Sequence, residues 1–240
     1  MKGCFKVNSA VKLCNYGKRE IARMIDHTLL KADASDDQIK DLCNEAVRYG
    51  FWSVCVNPSK VALASNCLMG EDVNVCTVIG FPLGASTTLI KSMEIKDAVV
   101  NGADEVDVVV NLGAVKSNDW NEVDRDIRVV VEAAEDMALV KLILETSLLT
   151  DEEKVRICDI AAKRGAAFVK TSTGFGPYGA TSADVKLLRK SVGKALGVKA
   201  SGGIKDVKCV LEMIEAGANR IGTSAGRKIV EELEMMESIH

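Results

Sequence analysis

The chain has 240 residues, 48% hydrophobic and 27% charged, with a net charge of −3 and a pI near 5.6. That length and composition suit a soluble globular protein with a full-sized core. Mild acidity excludes a general nucleic-acid footprint, and aromatics at 4% offer few surfaces for stacking bases.

No run approaches the ~18 apolar residues of a membrane span. The opening MKGCFKVNSAVKLCNYGKRE holds no continuous apolar stretch of the kind a secretory leader needs. A cytoplasmic protein without a nucleic-acid or membrane partner is expected.

In chain order, short apolar runs alternate with longer amphipathic segments. The expected strands are 23–28 (RMIDHT), 51–56 (FWSVCV), 73–80 (VNVCTVIG) and 105–112 (EVDVVVNL). They continue with 139–146 (LVKLILET), 167–172 (AFVKTS), 197–201 (GVKAS) and 219–224 (NRIGTS). Between them lie helical patterns such as SDDQIKDLCNEAVRYG, where Ile39, Leu42, Cys43, Ala46 and Val47 share one face. Ser or Asp at its front supplies the N-cap and a favourable charge. Gly50, Gly102, Gly165 and Gly217 each fall just before a strand, as helix-stopping left-handed residues do.

Eight units in 240 residues give 30 residues each, the size of a βα repeat. Strands that are apolar nearly throughout indicate a parallel sheet covered by helices. Eight such units close into an α/β fold of the (β/α)8 TIM-barrel type. The rival, an open doubly wound sheet, calls for a G-x-G-x-x-G turn after its first strand, which the sequence lacks. With only 3 prolines and no Gly/Ser-rich linker, residues 1–240 are expected to form one barrel domain, with 1–22 as an N-terminal extension packed outside it.

Cysteines stand at 4, 14, 43, 55, 67, 76, 158 and 209, with no C-x-x-C pair. In a chain of this size and class they read as reduced thiols serving as small core hydrophobes.

Barrel chemistry gathers at the C-terminal ends of the strands. Asp107 in EVDVVVN, Lys170 in FVKTSTG and Lys199 in GVKASGG interrupt apolar strands near those ends. Any one alone reads plainly as a strand-edge charge facing solvent or held in a structural ion pair. Three on separate strands favour a reaction centre. Burial and a neighbouring ammonium both disfavour a charged lysine, so one of the two can be the neutral amine that attacks a carbonyl. Asp107 can keep the other protonated and move protons.

The loops ASGGIKD and IGTSAGR follow the last two strands and lead into helices. An isolated Gly-Gly reads as a tight turn. Two consecutive loops of this kind favour an anion held by backbone N–H groups at Gly202, Gly203, Gly222 and Ser224, with Lys205 and Arg227 adding positive charge. A metal centre is not expected, because His27 and His240 are the only histidines. His27 reads as a hydrogen-bonded structural residue, although its segment IDHTLL can line the site.

Together IDHTLL, VCVNP, IGFPLG, GADEVDVVVNLGAV, KLILETSLL, FVKTSTGFGPYGAT, VKASGGI and IGTSAG resemble the deoxyribose-phosphate aldolase family, in order, from about Arg23 to Arg227. The resemblance implies a class I aldolase, needing no cofactor, on a (β/α)8 barrel. Its reaction is the reversible cleavage of 2-deoxy-D-ribose 5-phosphate to D-glyceraldehyde 3-phosphate and acetaldehyde. By motif it implies that Lys170 forms the Schiff base, that Lys199 lowers the Lys170 pKa and relays protons, and that Asp107 relays protons. It also implies that Thr173 and Gly174, with Gly202, Gly203, Gly222 and Ser224, bind the substrate phosphate.

The chain departs from the pattern at Pro177 and Tyr178, expected to alter the loop after strand six. The tail EMMESIH also lacks the terminal tyrosine that some relatives fold toward the site. A homodimer or higher homo-oligomer is expected. Two other readings remain at this point: a Schiff-base lyase for a different sugar phosphate, and a silent barrel that only binds one.

Overall fold

A computed structural model describes residues 16–238. Eight parallel strands close on themselves in sequence order: β1 Ile25–Leu29, β2 Ser53–Val56, β3 Asn74–Ile79, β4 Glu105–Val109, β5 Leu139–Ile143, β6 Phe168–Lys170, β7 Gly197–Ser201 and β8 Arg220–Thr223. β8 returns to β1 through the pair Asp26 and Gly222. The (β/α)8 TIM barrel expected from the sequence is the fold observed.

The helices are α1 Lys18–Ala22, α2 Asp36–Tyr49, α3 Val61–Cys67, α4 Thr88–Val100, α5 Leu112–Lys116, α6 Trp120–Ala133, α7 Asp151–Arg164, α8 Ser182–Val192, α9 Val207–Ala216 and α10 Gly226–Glu237. Their local causes are those in the sequence. Ser35 accepts from the Gln38 N–H at 3.3 Å, and Gln38 answers from Oε1 to the Ser35 N–H at 3.0 Å, so α2 begins with a reciprocal cap. Gly50, Gly165 and Gly217 end α2, α7 and α9 at positive φ, while Gly102 does so one residue beyond the cap of α4.

Several strands are shorter than their apolar runs. Beyond Val109 the run in β4 turns into α5, because Asn111 caps it by accepting from the Ala114 N–H at 3.1 Å. The barrel ladder still continues past the strand ends, with Val110 N–H on the Ile143 carbonyl and Leu144 N–H on the Lys170 carbonyl.

Alternation along the strands sends one set of side chains outward under the helices, where Val54, Val106, Leu142, Val169 and Ile221 join the main apolar core. On α2, Ile39, Leu42, Cys43 and Ala46 are buried as expected, but Val47 lies at the edge of the face and is exposed.

Residues 1–15 of the extension, with Cys4 and Cys14, lie outside the described residues, as does His240. The described remainder packs on the last helix, where Lys18 pairs with Glu234 at 2.8 Å and Ile21 is fully buried.

The cysteines divide. Cys43 and Cys158 are core residues as read from the sequence. Cys67 is exposed and Cys209 half-buried, because each lies near the solvent edge of its helix. Cys55 and Cys76 belong to a separate cluster with Val78.

Candidate active site

The inward-facing set is largely ionic. Asp26, Glu105, Asp107, Lys141, Lys170, Lys199 and Arg220 come from six strands, and none is more than 5% exposed. Charges so removed from water persist only when paired, and the pairing runs up the barrel.

At the base, Arg220 contacts Asp26 and Glu105, each at 3.0 Å. Its guanidinium stacks on Trp52 at 4.5 Å and on Phe168 at 5.0 Å. The Trp52 indole N–H donates to Glu105 at 2.8 Å, so this end is closed. In the middle, Lys141 Nζ lies 2.6 Å from Glu105 and 2.9 Å from Asp107 Oδ1. Lys199 Nζ lies 2.5 Å from Asp26 and 2.7 Å from Asp107 Oδ2. Lys170 Nζ then donates to that same Oδ2 at 2.8 Å. Asp107, Lys170 and Lys199 are therefore brought together on one carboxylate.

Burial opposes the charge on Asp107, but Lys141, Lys170 and Lys199 outweigh it and hold the carboxyl well below the usual range. The same contest at Lys199 is won by Asp107 and Asp26, which raise its pKa above the ordinary lysine value. Lys141 is raised likewise, with Asp107 the largest influence against burial. Neither is the neutral amine the sequence called for.

The balance of charges singles out Lys170. Three carboxylates (Asp26, Glu105, Asp107) face four cationic side chains, so full ionisation leaves one positive charge in excess. Lys141, Lys199 and Arg220 each contact at least two carboxylates. Lys170 contacts only Asp107, already shared with Lys199. It is the cation the cluster can most easily do without.

Lys170 also borders a pocket of about 250 Å³ at the C-terminal ends of the strands. Thr173, Gly174, Gly202, Gly203, Gly222 and Ser224 all line it, with Lys31 and Lys205 at its rim. Gly222 gives room for the Lys199 stem, since a Cβ there would lie 3.0 Å from Lys199 Cε and 2.9 Å from Ser201 Cβ. Gly179 lets the β6 loop cross the β7 loop, where a Cβ would lie 2.1 Å from the Gly202 carbonyl oxygen. Ala180 N–H secures that crossing on the Ser201 and Gly202 carbonyls.

One expectation is corrected here. Arg227 does not reach the pocket; it pairs with Glu231 at 2.9 Å and Glu45 at 3.5 Å on the outer face of α10. Pro177 and Tyr178 point to solvent and do not line the pocket. Phe175 does, edge-on to Phe81 at 5.3 Å. The loop is held by Glu145, which accepts from the Thr173 backbone N–H at 3.2 Å and from the Thr173 hydroxyl.

His27 faces the helix layer, 2.8 Å from Glu45, and burial pushes its pKa below the usual histidine value. Thr28, Leu29 and Leu30 of the same segment line the pocket. Among the described residues, two groups of possible ligand atoms, Cys55–Cys76–Asp107 and Asp26–Cys76–Glu105, each lie within 4.8 Å of one another. Their carboxylates already face lysine or arginine nitrogens, which a cation would have to displace.

The sequence reading missed Asp26, Glu105, Lys141 and Arg220. Lys141 in LVKLILET carries the signal that marked Lys170, a lysine inside an apolar strand. Because Lys141 serves three carboxylates, Lys141→Met should cost about 3–5 kcal/mol of stability, the range for stripping one partner from a buried ion pair. Denaturant unfolding measures it; a loss below ~1 kcal/mol would show that the ladder does not need this charge.

Residues 21–232 match the family described as DeoC/LacD family aldolase. The deoxyribose-phosphate aldolase of Geobacillus sp. (strain WCH70) is 60% identical over 214 residues, covering 89% of this chain and 96% of that protein. That of Clostridium tetani is 59% identical over 213 residues, covering 89% and 99%. Among solved structures, the deoxyribose phosphate aldolase of Aeropyrum pernix, described as a unique tetramer, superposes with a TM-score of 0.87. It is 32% identical, and the match covers 96% of this chain and 99% of that one.

Proposed function

The chain belongs to the DeoC/LacD family of aldolases and is an aldehyde-lyase, and on that premise we propose that it cleaves 2-deoxy-D-ribose 5-phosphate reversibly through a Schiff base on Lys170. The observation that carries this reading is the single Asp107 oxygen shared by Lys170 and Lys199 beneath the pocket.

Lys199 stays protonated between Asp26 and Asp107, so a second ammonium on that oxygen is disfavoured and Lys170 reacts as the amine. Its Nζ adds to C1 of the open-chain sugar, and the carbinolamine loses water to give the iminium. Loss of the C3 hydroxyl proton then breaks C2–C3, releasing D-glyceraldehyde 3-phosphate and leaving an enamine on Lys170. Protonation at C2 and hydrolysis release acetaldehyde and restore the amine. Asp107, kept anionic by its neighbours, receives and returns protons, with Lys199 as the adjoining donor.

The glycine-lined rim suits the phosphate. Gly202 and Gly203 line it without side chains, Gly222 opens it from within β8, Ser224 precedes α10, and Lys205 adds charge. Thr173 and Gly174 complete the rim from the β6 loop. Assembly as a homo-oligomer belongs to this reading, supported by the tetrameric relative and by Leu89, Ile90 and Met93 exposed on α4.

The test is borohydride reduction in the presence of substrate, followed by peptide mapping: an adduct on Lys170 is expected, and an adduct elsewhere or none overturns the mechanism. The phosphate end has its own measurement. Ser224→Asp should raise KM for deoxyribose 5-phosphate by at least about tenfold and leave that for deoxyribose nearly unchanged, through repulsion of the dianion. A carboxylate just before a helix is otherwise favourable, so folding should not suffer. Equal losses for both substrates would remove the phosphate from this rim.

A further inference from the structure

Cys55 and Cys76 are nucleophilic groups inside the barrel for which the aldol steps have no use. They oppose each other on neighbouring parallel strands, and both are wholly buried. Their sulfurs and an Asp107 oxygen lie within 4.8 Å of one another. Adjacent strands run ~4.8 Å apart, inside the ~4.4–6.8 Å Cα separation that a disulfide spans. We propose that Cys55 and Cys76 are an oxidative modification site, at which a hydroperoxide forms a disulfide that turns the Asp107 centre off and a thiol reductant turns it on again.

The two thiols are not equivalent. Neighbouring Cys76 and the charge of Lys199 pull the Cys55 pKa down against burial. Burial, Cys55 and Asp107 push Cys76 up. Cys55 is therefore the attacking thiolate. Its sulfur takes the distal oxygen of hydrogen peroxide, the O–O bond breaks, and hydroxide leaves and is protonated to water. Cys55 is now a sulfenic acid. Cys76 attacks that sulfur, the S–O bond breaks, and the departing hydroxide takes the Cys76 proton as a second water. The sulfurs lose two electrons and the peroxide gains them. Leu30 packs against this pair and also lines the pocket, so the pair lies just behind the pocket wall on that side.

The consequence falls on the shared carboxylate. Cys76 Sγ lies 3.3 Å from Asp107 Oδ1 and 3.3 Å from Lys141 Nζ. A disulfide removes the S–H donor and draws the sulfur toward β2, leaving Asp107 with one partner fewer. This loss of activity rests on the proposed role of Asp107; the disulfide itself does not.

The experiment treats the full chain carrying Cys67→Ser with hydrogen peroxide. The substitution removes the exposed thiol beside Cys43, whose own pKa burial pushes up to about 12. Expected are a Cys55–Cys76 cross-linked peptide lacking two hydrogens and a fall of about tenfold or more in activity, the scale of losing a hydrogen bond to a charged group. Dithiothreitol should reverse both. Cys55→Ala and Cys76→Ala, each judged against its own starting activity, should show neither. The site is overturned if Cys55 remains alkylatable after a denaturing quench, or if Cys55→Ala loses activity to peroxide as fast and as reversibly as its parent. A disulfide that forms without changing activity would overturn the switch.

Discussion

Lys170→Ala should abolish borohydride trapping and lower kcat/KM by roughly four orders of magnitude or more, since neither a nucleophile nor its positioned attack remains. The same variant should fold as well as its parent. The ion pairing of the barrel does not depend on Lys170, so its removal leaves three carboxylates facing three cationic side chains. Lys141→Met, by contrast, leaves Glu105 and Asp107 short of a partner and should lose stability. Thermal or denaturant unfolding of the two variants side by side tests the distinction. If Lys170→Ala still forms a reducible adduct, another amine is the nucleophile.

The barrel was legible in the sequence because its determinants are local. Each βα unit carries its own apolar strand, its own amphipathic face and often its own glycine stop, as in the segment from Ser35 to Val56. Reading eight repeats requires no long-range information. Closure of β8 on β1 does, and it came from the count of units together with the size of known closed barrels.

The site was partly legible for a different reason. A lysine after two apolar residues is conspicuous, so Lys170 and Lys199 stood out, and the neighbours of Asp107 made it stand out too. Asp26 and Glu105 sit at the beginnings of their runs, in MIDHT and DEVDV, where a charge looks like an ordinary strand edge. What buries them is the other strands: Glu105 shares Arg220 with Asp26 across the barrel, at a separation of 115 residues from Arg220. No local pattern encodes that meeting. Phe175 was passed over beside Pro177 and Tyr178, because only the positions of Gly179 and Glu145 decide which part of the loop borders the pocket.

Lys199→Leu should give the other large effect, and its pH dependence separates the roles of the two lysines. With Lys199 present, Asp107 and Asp26 already have a charged partner at 2.7 and 2.5 Å, and Lys170 need not be an ammonium. Without it, Asp107 Oδ2 has only Lys170 as a possible cationic partner, and three carboxylates are left with three side chains able to carry positive charge, Lys170 among them. The ammonium of Lys170 is then retained as a counter-ion and the neutral amine becomes scarce. A neighbouring charge moves such an equilibrium by about one to three powers of ten, so kcat/KM at neutral pH should fall roughly 10- to 1000-fold. Activity should recover by up to about tenfold per pH unit as alkali removes that proton, a gain the parent lacks. Lys199→Arg, which keeps the charge, should hold more activity than Lys199→Leu and show less of the alkaline recovery. The trapped adduct should still map to Lys170 in both variants. A flat pH profile for Lys199→Leu at equal stability would mean that Lys199 acts only by moving protons, and an adduct on Lys199 in the Lys170→Ala enzyme would reverse the assignment.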